Sequence, residues 1–185
     1  MMSLLDIKNL SINFALPNRT VNAVQDFSLT ITEGETVALV GESGSGKSVT
    51  ALSILQLLPY PRASHPHGSI RFDGEELMGA SGDRLQDLRG GRIAMVFQEP
   101  MSALNPVFTV GSQIGDALRT NMGMSKKEAD ERVIELLSLV GIPSPGSRLD
   151  SYVHEFSGGM RQRVLLALAL SCDPTFLIAD EPTTA

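Results

Sequence analysis

A glycine-rich octapeptide constrains the fold of this chain more than any other stretch of its sequence. The octapeptide is Gly41-Glu42-Ser43-Gly44-Ser45-Gly46-Lys47-Ser48, and it fits the pattern of Gly, four residues, Gly, Lys and Ser or Thr. Residues 36–40 before it form a mainly apolar run that suits a central parallel strand, and the residues after it have helical character. The order of strand, glycine-rich turn and helix predicts an α/β core built around this turn.

The spacing of glycines, lysine and serine in the octapeptide suits a phosphate group. Glycines adopt backbone torsions that other residues resist, so successive N–H groups can close around phosphate oxygens, and the N-terminus of the following helix adds partial positive charge. We expect Lys47 to contact the β- and γ-phosphates and the Ser48 hydroxyl to bind Mg²⁺. A glycine-rich turn before a helix can also be purely structural, so the prediction depends on the flanking strand and helix.

Composition limits the class of protein. The 185 residues, 42% of them apolar, suffice for one domain or for one domain with a small inserted subdomain. The net charge of −6 and the lack of a basic run give no indication of binding to nucleic acid or to an anionic membrane surface. The single cysteine, Cys172, excludes an internal disulfide bond and suits a reducing cytoplasm. The longest apolar stretches, 49–58 and 164–172, are shorter than the ~20 residues of a membrane span, so any membrane role would depend on a partner.

The first half of the chain predicts a small sheet and a helix. Apolar residues alternate as in antiparallel strands, and a turn at 17–19 interrupts them. The alternating residues are Leu5, Ile7, Leu10, Ile12, Phe14, Phe27, Leu29 and Ile31. A helix that is apolar on most faces runs from Gly46 and stops before Pro59. Residues 60–68 are expected to form a loop in which His65 and His67 are solvated and do not bind a metal. A strand is expected at 69–72, and a buried strand at 93–97.

Helical patterns dominate residues 106–149. Ser125 and Glu128 form a capping box, apolar residues after them recur at helical spacing, and Gly141 and Pro143 end the run. This segment predicts an inserted helical subdomain. An apolar helix at 164–172 and a buried strand at 176–179 follow it.

Two further motifs carry candidate chemistry. Asp180 and Glu181 follow the last predicted strand, where one carboxylate can hold Mg²⁺ opposite Ser48 and its neighbour can polarise an attacking water. Such a pair is also a common helix cap. Ser157-Gly158-Gly159 precedes the apolar helix and is either an ordinary cap or a second anion site. If both helix starts bind phosphate and each chain holds one nucleotide, the nucleotide of one molecule would contact the second helix start of another molecule.

Together these motifs resemble the nucleotide-binding subunits of ATP-binding cassette (ABC) transporters. The resemblance covers all 185 residues and includes the octapeptide, a loop at Gln98, the signature at 157–159 and the Asp180-Glu181 strand, in the family's order. Segments 97–106 (FQEPMSALNP), 154–163 (HEFSGGMRQR) and 179–185 (ADEPTTA) are similar to the branch that imports dipeptides, oligopeptides, nickel or glutathione. The implied fold is a P-loop ATPase core of the α/β class with an N-terminal antiparallel β subdomain and an inserted helical subdomain.

The resemblance also implies roles for individual residues. Phe14 would stack on adenine, although a core position in the strand is the alternative, and the signature would bind the γ-phosphate of ATP held by a second copy or a paralogue. The expected nucleotide-binding residues are Phe14, Gly41, Glu42, Ser43, Gly44, Ser45, Gly46, Lys47, Ser48, Val49, Ser157, Gly158 and Gly159. Mg²⁺ would be held by Ser48, Gln98 and Asp180. Glu181 would be the general base, with Gln98 and Lys47 as the other catalytic residues.

Partners and domain boundaries follow from the same resemblance. The implied partners are a second nucleotide-binding domain, identical, paralogous or fused in tandem, and a membrane permease that contacts the Gln98 loop. A periplasmic or extracellular substrate-binding protein is implied indirectly, nucleic acid is not, and the expected location is the cytoplasmic face of the inner or plasma membrane. The expected boundaries are 1–36 and 69–92 for the antiparallel β region, 37–68, 93–100 and 173–185 for the core, and 101–172 for the helical subdomain.

The family pattern continues beyond Ala185 into a turn at the dimer interface and a strand that ends in a histidine. That strand would lie between the phosphate-loop strand and the Asp180 strand, so we expect an incomplete sheet and a fragment of low stability and low activity. The leading hypothesis is ATP-driven import of peptides or related small solutes. Two alternatives remain open: a truncated nucleotide-binding fragment without turnover, and a soluble ABC ATPase that acts on ribosomes or DNA, which the negative charge disfavours.

Overall fold

The computed structural model describes residues 3–97 and 103–181. The chain divides into two compact units, Met1–Leu85 and Gln86–Ala185. The first unit contains a four-stranded antiparallel sheet with strand order β2-β1-β3-β4, and the second contains a two-stranded parallel sheet of β5 and β6. An antiparallel sheet, a parallel strand pair and a helical segment are all present, whereas the predicted domain boundaries remain a prediction.

The first unit is built around one long hairpin. β1 (Ser3–Leu16) and β2 (Arg19–Thr32) pair with each other, and β3 (Ala63–Phe72) pairs with the other edge of β1. The short strand β4 (Glu75–Glu76) pairs antiparallel with the end of β3. The helix α1 (Lys47–Ile54) lies between β2 and β3 in the chain. It ends earlier than its apolar pattern predicts, because Leu55 caps it and the backbone then turns left-handed at Gln56.

The predicted alternation in β1 is confirmed, and a bulge explains its break. Leu5, Ile7, Leu10 and Ile12 are all buried, but the spacing slips by one residue between Ile7 and Leu10. Asn9 lies in this gap with a φ of 46°, and the strand register shifts at the same place. The additional residue of a bulge is left unpaired, so it returns the second apolar pair to the buried side.

The predicted loop at 60–68 is wrong from Ala63 onward, because β3 begins there and includes both His65 and His67. Two features allow strand structure here despite the proline and the glycine. β4 pairs only with Arg71 and Phe72, so Pro66 lies on an unpaired edge where a missing N–H group is tolerated. At Gly68, φ is 110° and an added Cβ would lie 2.5 Å from the Cα of Leu10, so β1 and β3 approach closely there.

The predicted central strand at 36–40 is also wrong, since these residues belong to neither sheet of the described structure. Their apolar side chains are largely in solvent, with Leu39 43% and Val40 88% exposed. A parallel strand is stabilised by hydrogen bonds to its neighbours and by burial of both faces. The described strands of Met1–Leu85 provide residues 36–40 with neither these hydrogen bonds nor this burial.

The second unit packs helices against β5 (Ile93–Val96), and β5 pairs in register with β6 (Phe176–Ala179). Its main helices are α3 (Val110–Met122), α4 (Lys126–Leu139) and α5 (Gly158–Leu170), with short 3-10 turns at Pro145–Arg148 and Val153–Glu155. The helix α2 (Gly82–Leu88) precedes β5 in the chain, and the boundary between the two units falls within it. The core includes Ala94, Val96, Leu104, Ile114, Leu118, Val133, Leu137, Phe156, Val164 and Ala167.

The predicted helix that begins after Ser125 is confirmed, and the apolar helix predicted at 164–172 is present with the bounds Gly158–Leu170. Ser125 and Glu128 form both hydrogen bonds of a capping box: the Ser125 N–H donates to Glu128 Oε2 at 2.8 Å, and the Glu128 N–H donates to Ser125 Oγ at 3.4 Å. β5 is fully buried as expected, but β6 is only partly so, because Leu177 is 39% exposed. Among residues 3–97 and 103–181, no helix combines the length and apolar character that crossing a bilayer requires.

Candidate nucleotide-binding site

The phosphate loop at 41–48 closes around its own lysine. The ammonium group of Lys47 donates to the carbonyl oxygens of Gly41 and Glu42, both at 2.8 Å, and lies 3.5 Å from Ser45 Oγ. A turn in which the Ser45 N–H donates to the Glu42 carbonyl at 3.2 Å narrows the loop. The loop therefore holds one positive charge at its rim, where the oxygens of a phosphate group would compete with the two carbonyls.

Gly46 fixes the position of the loop against β2. It is the N-cap of α1 and has a φ of 92°, which side chains with a Cβ rarely adopt. A Cβ at this position would lie 2.8 Å from the carbonyl oxygen of Ala23 and 3.0 Å from a methyl group of Val24. The glycine thus allows α1 to begin immediately beside the sheet, with Lys47 and Ser48 in its first turn, where a helix has unpaired N–H groups and partial positive charge.

Phe14 lies near the end of β1, the strand with neighbours on both sides. It pairs with Val21 of β2 and with Ala63 of β3. Its side chain is only half-buried, unlike those of Leu10 and Ile12 on the same strand. An exposed ring surface is what stacking on adenine requires, so this position is compatible with the role that the sequence predicts.

Asp180 follows β6 at the carboxyl end of the parallel pair. Its N–H donates to the Val96 carbonyl at 3.0 Å, so the ladder of hydrogen bonds continues one residue beyond the strand. Because β5 and β6 are parallel and in register, the segment that leaves β5 at Phe97 starts from the same edge as Asp180. Glu181 is exposed and has a φ of 47°, an uncommon backbone conformation for a residue other than glycine. Gln98 lies outside the described residues.

Ser157 caps α5, and the two glycines after it are open to solvent. Its Oγ accepts from the Met160 N–H at 3.4 Å. A Cβ at Gly158 or Gly159 would meet no atom within 4 Å, so this helix start is accessible. The cap is confirmed, and binding of an anion there remains a prediction.

Two arginines that we did not single out from the sequence hold the segment before this cap. Arg161 donates from Nε to the Val153 carbonyl at 3.0 Å and from its terminal nitrogen to the His154 carbonyl at 3.3 Å. The guanidinium of Arg148 lies over the ring of Phe156, with its central carbon 5.7 Å from the ring centre. Arg161 belongs to the 154–163 motif, which was the available signal, whereas nothing in the local pattern indicates Arg148.

The predicted site residues are shared between the two units. Phe14 and residues 41–49 lie in Met1–Leu85, and Ser157, Asp180 and Glu181 lie in Gln86–Ala185. Within residues 3–97 and 103–181, no group of three His, Cys, Asp or Glu side chains forms a ready-made metal site. The Mg²⁺ ligands expected from the sequence are of another kind, a hydroxyl, an amide and one carboxylate, and are the oxygen donors that this cation prefers.

A family model described as ABC transporter matches residues 24–184. The chain belongs to the ABC transporter family. The match includes the phosphate loop, the Ser157 cap and Asp180, so the resemblance that these motifs predict is confirmed.

Relatives of this ABC transporter chain include subunits named for peptide transport. It is 51% identical over 185 residues to the dipeptide transport ATP-binding protein DppD of Bacillus subtilis (strain 168), an alignment that covers 100% of this chain and 55% of DppD. It is 48% identical over 182 residues to the oligopeptide transport ATP-binding protein OppD of the same organism, with 98% of this chain and 51% of OppD covered. The chain thus spans about half the length of these relatives.

Solved ABC cassettes have the same fold. The dimeric post-hydrolysis structure of the ATP-binding cassette MJ0796, bound to ADP and Pi, matches with a TM-score of 0.87 at 28% identity and covers 98% of this chain and 75% of that one. CbiO1 from Clostridium perfringens, part of the ABC transporter complex CbiONQ, matches with a TM-score of 0.76 at 27% identity and covers 100% of this chain and 68% of that one. The predicted fold class is confirmed by these matches.

Proposed function

We propose that this chain is the ATP-binding part of a subunit that hydrolyses ATP and thereby drives a membrane permease for peptides or related small solutes. The observation that carries the proposal is the phosphate loop, in which Gly44 and Gly46 have positive φ and the ammonium group of Lys47, at the start of α1, donates to the carbonyl oxygens of Gly41 and Glu42. Relatives named for dipeptide and oligopeptide transport support the choice of cargo class.

In the proposed site, each residue has a task that its chemistry allows. Lys47 and the N–H groups at the start of α1 bind the β- and γ-phosphates, and Phe14 stacks on adenine. Ser48, Gln98 and Asp180 would hold Mg²⁺, which when bound neutralises charge on the phosphate oxygens. Glu181 accepts the proton of the attacking water, and Gln98 orients that water. Positioning and charge stabilisation supply most of the rate enhancement in such reactions.

The proposed assembly places the open helix start at Ser157 against ATP held by a second nucleotide-binding domain. The accessible Gly158 and Gly159 support this role, because a phosphate oxygen can approach their N–H groups without meeting a side chain. The matching MJ0796 structure is itself described as dimeric. The permease would contact the segment after β5, on the cytoplasmic face of the membrane, and a substrate-binding protein would take part only indirectly.

Binding of MgATP by titration calorimetry tests the proposal. The chain should bind MgATP, and Lys47→Ala should abolish binding because the loop then has no charge for the β- and γ-phosphates. Lys127→Ala is the matched control, since Lys127 is an exposed helix lysine paired only loosely with Glu131 at 3.9 Å. Failure of the unmodified chain to bind MgATP, or equal binding by the Lys47 variant, would refute the proposed function.

One alternative has a specific observation in its favour. The exposed run at 36–40 leads directly into the phosphate loop, and the alternative is a chain that binds nucleotide but turns it over slowly. An ATPase assay of the 185-residue chain beside a longer chain of the relatives' length distinguishes binding without turnover from full activity. Copurification with membrane subunits distinguishes a transporter from a soluble ABC ATPase.

A further inference from the structure

We infer that His65 is a positioning residue of the nucleotide site. It connects α1, the helix that follows the phosphate loop, to β3, the strand that pairs with Phe14. It thereby sets the distance between the phosphate-binding and adenine-binding parts of the site. The inference rests on the proposed function, because that function assigns the phosphate loop and Phe14 to ATP. It concerns residues of the Met1–Leu85 unit alone.

The first link is a short hydrogen bond between α1 and β3. Ser53 Oγ lies 2.6 Å from His65 Nε2, and which of the two atoms donates depends on the tautomer of the ring. Ser53 is completely buried, six residues after Lys47 on the same helix. α1 is short and buries only Thr50, Ser53 and Ile54, so few apolar contacts hold it in place. A satisfied hydroxyl at a fully buried position is therefore an important part of its anchoring, because leaving such a group unpaired is unfavourable.

The second link is the pairing of β3 with β1. Ala63 pairs with Phe14 and Ser64 pairs with Asn13, so His65 directly follows the two β3 residues that pair with Phe14 and its neighbour. The Ala15 N–H donates to the Arg62 carbonyl at 2.8 Å, which extends the pairing past Phe14. The path from Lys47 to Phe14 therefore runs through one helix, one side-chain hydrogen bond and one strand pair.

The ring of His65 is also held from a second direction. Tyr60 Oη lies 3.5 Å from both ring nitrogens, and the same hydroxyl donates to Gln56 Oε1 at 3.2 Å. Gln56 in turn donates from Nε2 to the Ser53 carbonyl at 2.7 Å, so the network closes on the residue that His65 contacts. Burial lowers the pKa of His65, and the neutral ring, with one donor and one acceptor nitrogen, is the form that prevails at neutral pH.

A comparison of two ligands tests the inference, because ATP contacts both parts of the site whereas inorganic tripolyphosphate contacts only the loop. With His65→Ala, ATP binding should weaken by roughly three- to tenfold, in line with the loss of one buried hydrogen bond, while tripolyphosphate binding stays unchanged. His65→Gln should recover part of the ATP affinity, since its amide can reach Ser53. His67→Ala is the matched control, an exposed histidine on the same strand, and should change neither affinity.

A double-mutant cycle with Phe14 distinguishes positioning from general stabilisation. If His65 acts by setting the distance to the adenine platform, His65→Ala should have no further effect on ATP binding once Phe14 is replaced by Ala. Equal loss of ATP and tripolyphosphate binding, no loss of either, or additive effects of the two substitutions would overturn the inference. Ser53→Ala provides a second route to the same contact if the His65 variants fold poorly. The proposed function fails separately, by the absence of MgATP binding in the unmodified chain.

Discussion

The ammonium group of Lys47 donates a hydrogen bond of 2.8 Å to the carbonyl oxygen of Gly41, the residue that opens the phosphate loop. The bond spans the loop and connects its first residue to the first residue of α1. The lysine thus has its charge in the mouth of the loop, where the oxygens of a triphosphate would compete with the carbonyl oxygens of Gly41 and Glu42. The geometry of the loop therefore depends on the glycines that let it close.

Gly46→Ala should destabilise the chain more than Gly44→Ala. Both residues have positive φ, 92° and 80°, so either substitution incurs a torsional penalty of about 1–2 kcal/mol. Only at Gly46 does the new methyl group also meet the Ala23 carbonyl, at 2.8 Å, whereas at Gly44 it meets no atom within 4 Å. Chemical denaturation should show the larger loss of unfolding free energy for Gly46→Ala, and equal losses would mean that the close approach to β2 is relaxed in solution.

Ser125→Ala should lower the unfolding free energy of the chain by about 1 kcal/mol, since it removes the side chain that caps α4. Ser138→Ala is the control, because Ser138 is an exposed serine near the end of the same helix. Hydrogen exchange of the first turn of α4 provides a local readout. A Ser125 variant as stable as the Ser138 variant would show that the capping box does not contribute in solution.

Acidification should reduce stability in two separate pH ranges. Burial holds the pKa of His65 below its ordinary value of 6.5, so the unfolded chain takes up a proton first as the pH falls through 6.5, and the unfolding free energy declines. Hydrogen bonds from Ser125 lower the pKa of Glu128 from 4.5, so its contribution is present above that pH and is lost only at lower pH. His65→Asn should remove the decline that begins near pH 6.5 and leave the acidic one. Thermal melts from pH 7.5 to 3.5 measure both.

Glu181→Gln in a chain of the relatives' length should retain MgATP binding but reduce ATP hydrolysis by at least about 100-fold, since the amide cannot accept the proton of the attacking water. The same variant should accumulate as an ATP-bound dimer, detectable by analytical ultracentrifugation. Glu131→Gln, the same change at an exposed helix carboxylate outside the proposed site, is the matched control and should hydrolyse ATP at a rate near that of the unmodified chain. Rapid hydrolysis by the Glu181 variant would exclude this residue as the base.

Residues 36–40 should exchange their amide hydrogens rapidly in the 185-residue chain and slowly in a longer chain of the relatives' length. Rapid exchange is expected because the described strands provide no pairing for this run and Val40 is 88% exposed. Slow exchange in the longer chain would support the expectation that residues 36–40 acquire hydrogen-bonding partners there. Equal exchange in both chains would contradict it.

Much of this fold could be predicted because its signals are local. The capping box at Ser125, the cap at Ser157 and the buried run at 93–96 each carry their structural information in a few adjacent residues, and all three are confirmed. The wrong predictions involve contacts between distant segments. Residues 36–40 have the composition of a strand but no described partner. His65 lies in a strand because Ser64 and His67, on either side of it, pair with β1, which a proline-rich local pattern does not reveal.

The same distinction applies to the candidate site. The glycines, Lys47 and Ser48 were predictable because phosphate binding needs those residue types at fixed spacing. The residues that support the site from a distance were not: Arg161 holds carbonyls before the Ser157 cap, and Ser53 contacts His65 across twelve residues of sequence. Such supports depend on tertiary structure, so a single sequence gives them no distinctive pattern.

The hydrogen bond from the Asp180 N–H to the Val96 carbonyl is the last rung of the ladder between β5 and β6. With that rung in place, the backbone of Asp180 cannot slide along the strand unless Val96 follows it. In an importer of the proposed kind, a displacement of the segment that leaves β5 would therefore be transmitted through this hydrogen bond to the backbone of Asp180, the residue that bears the carboxylate.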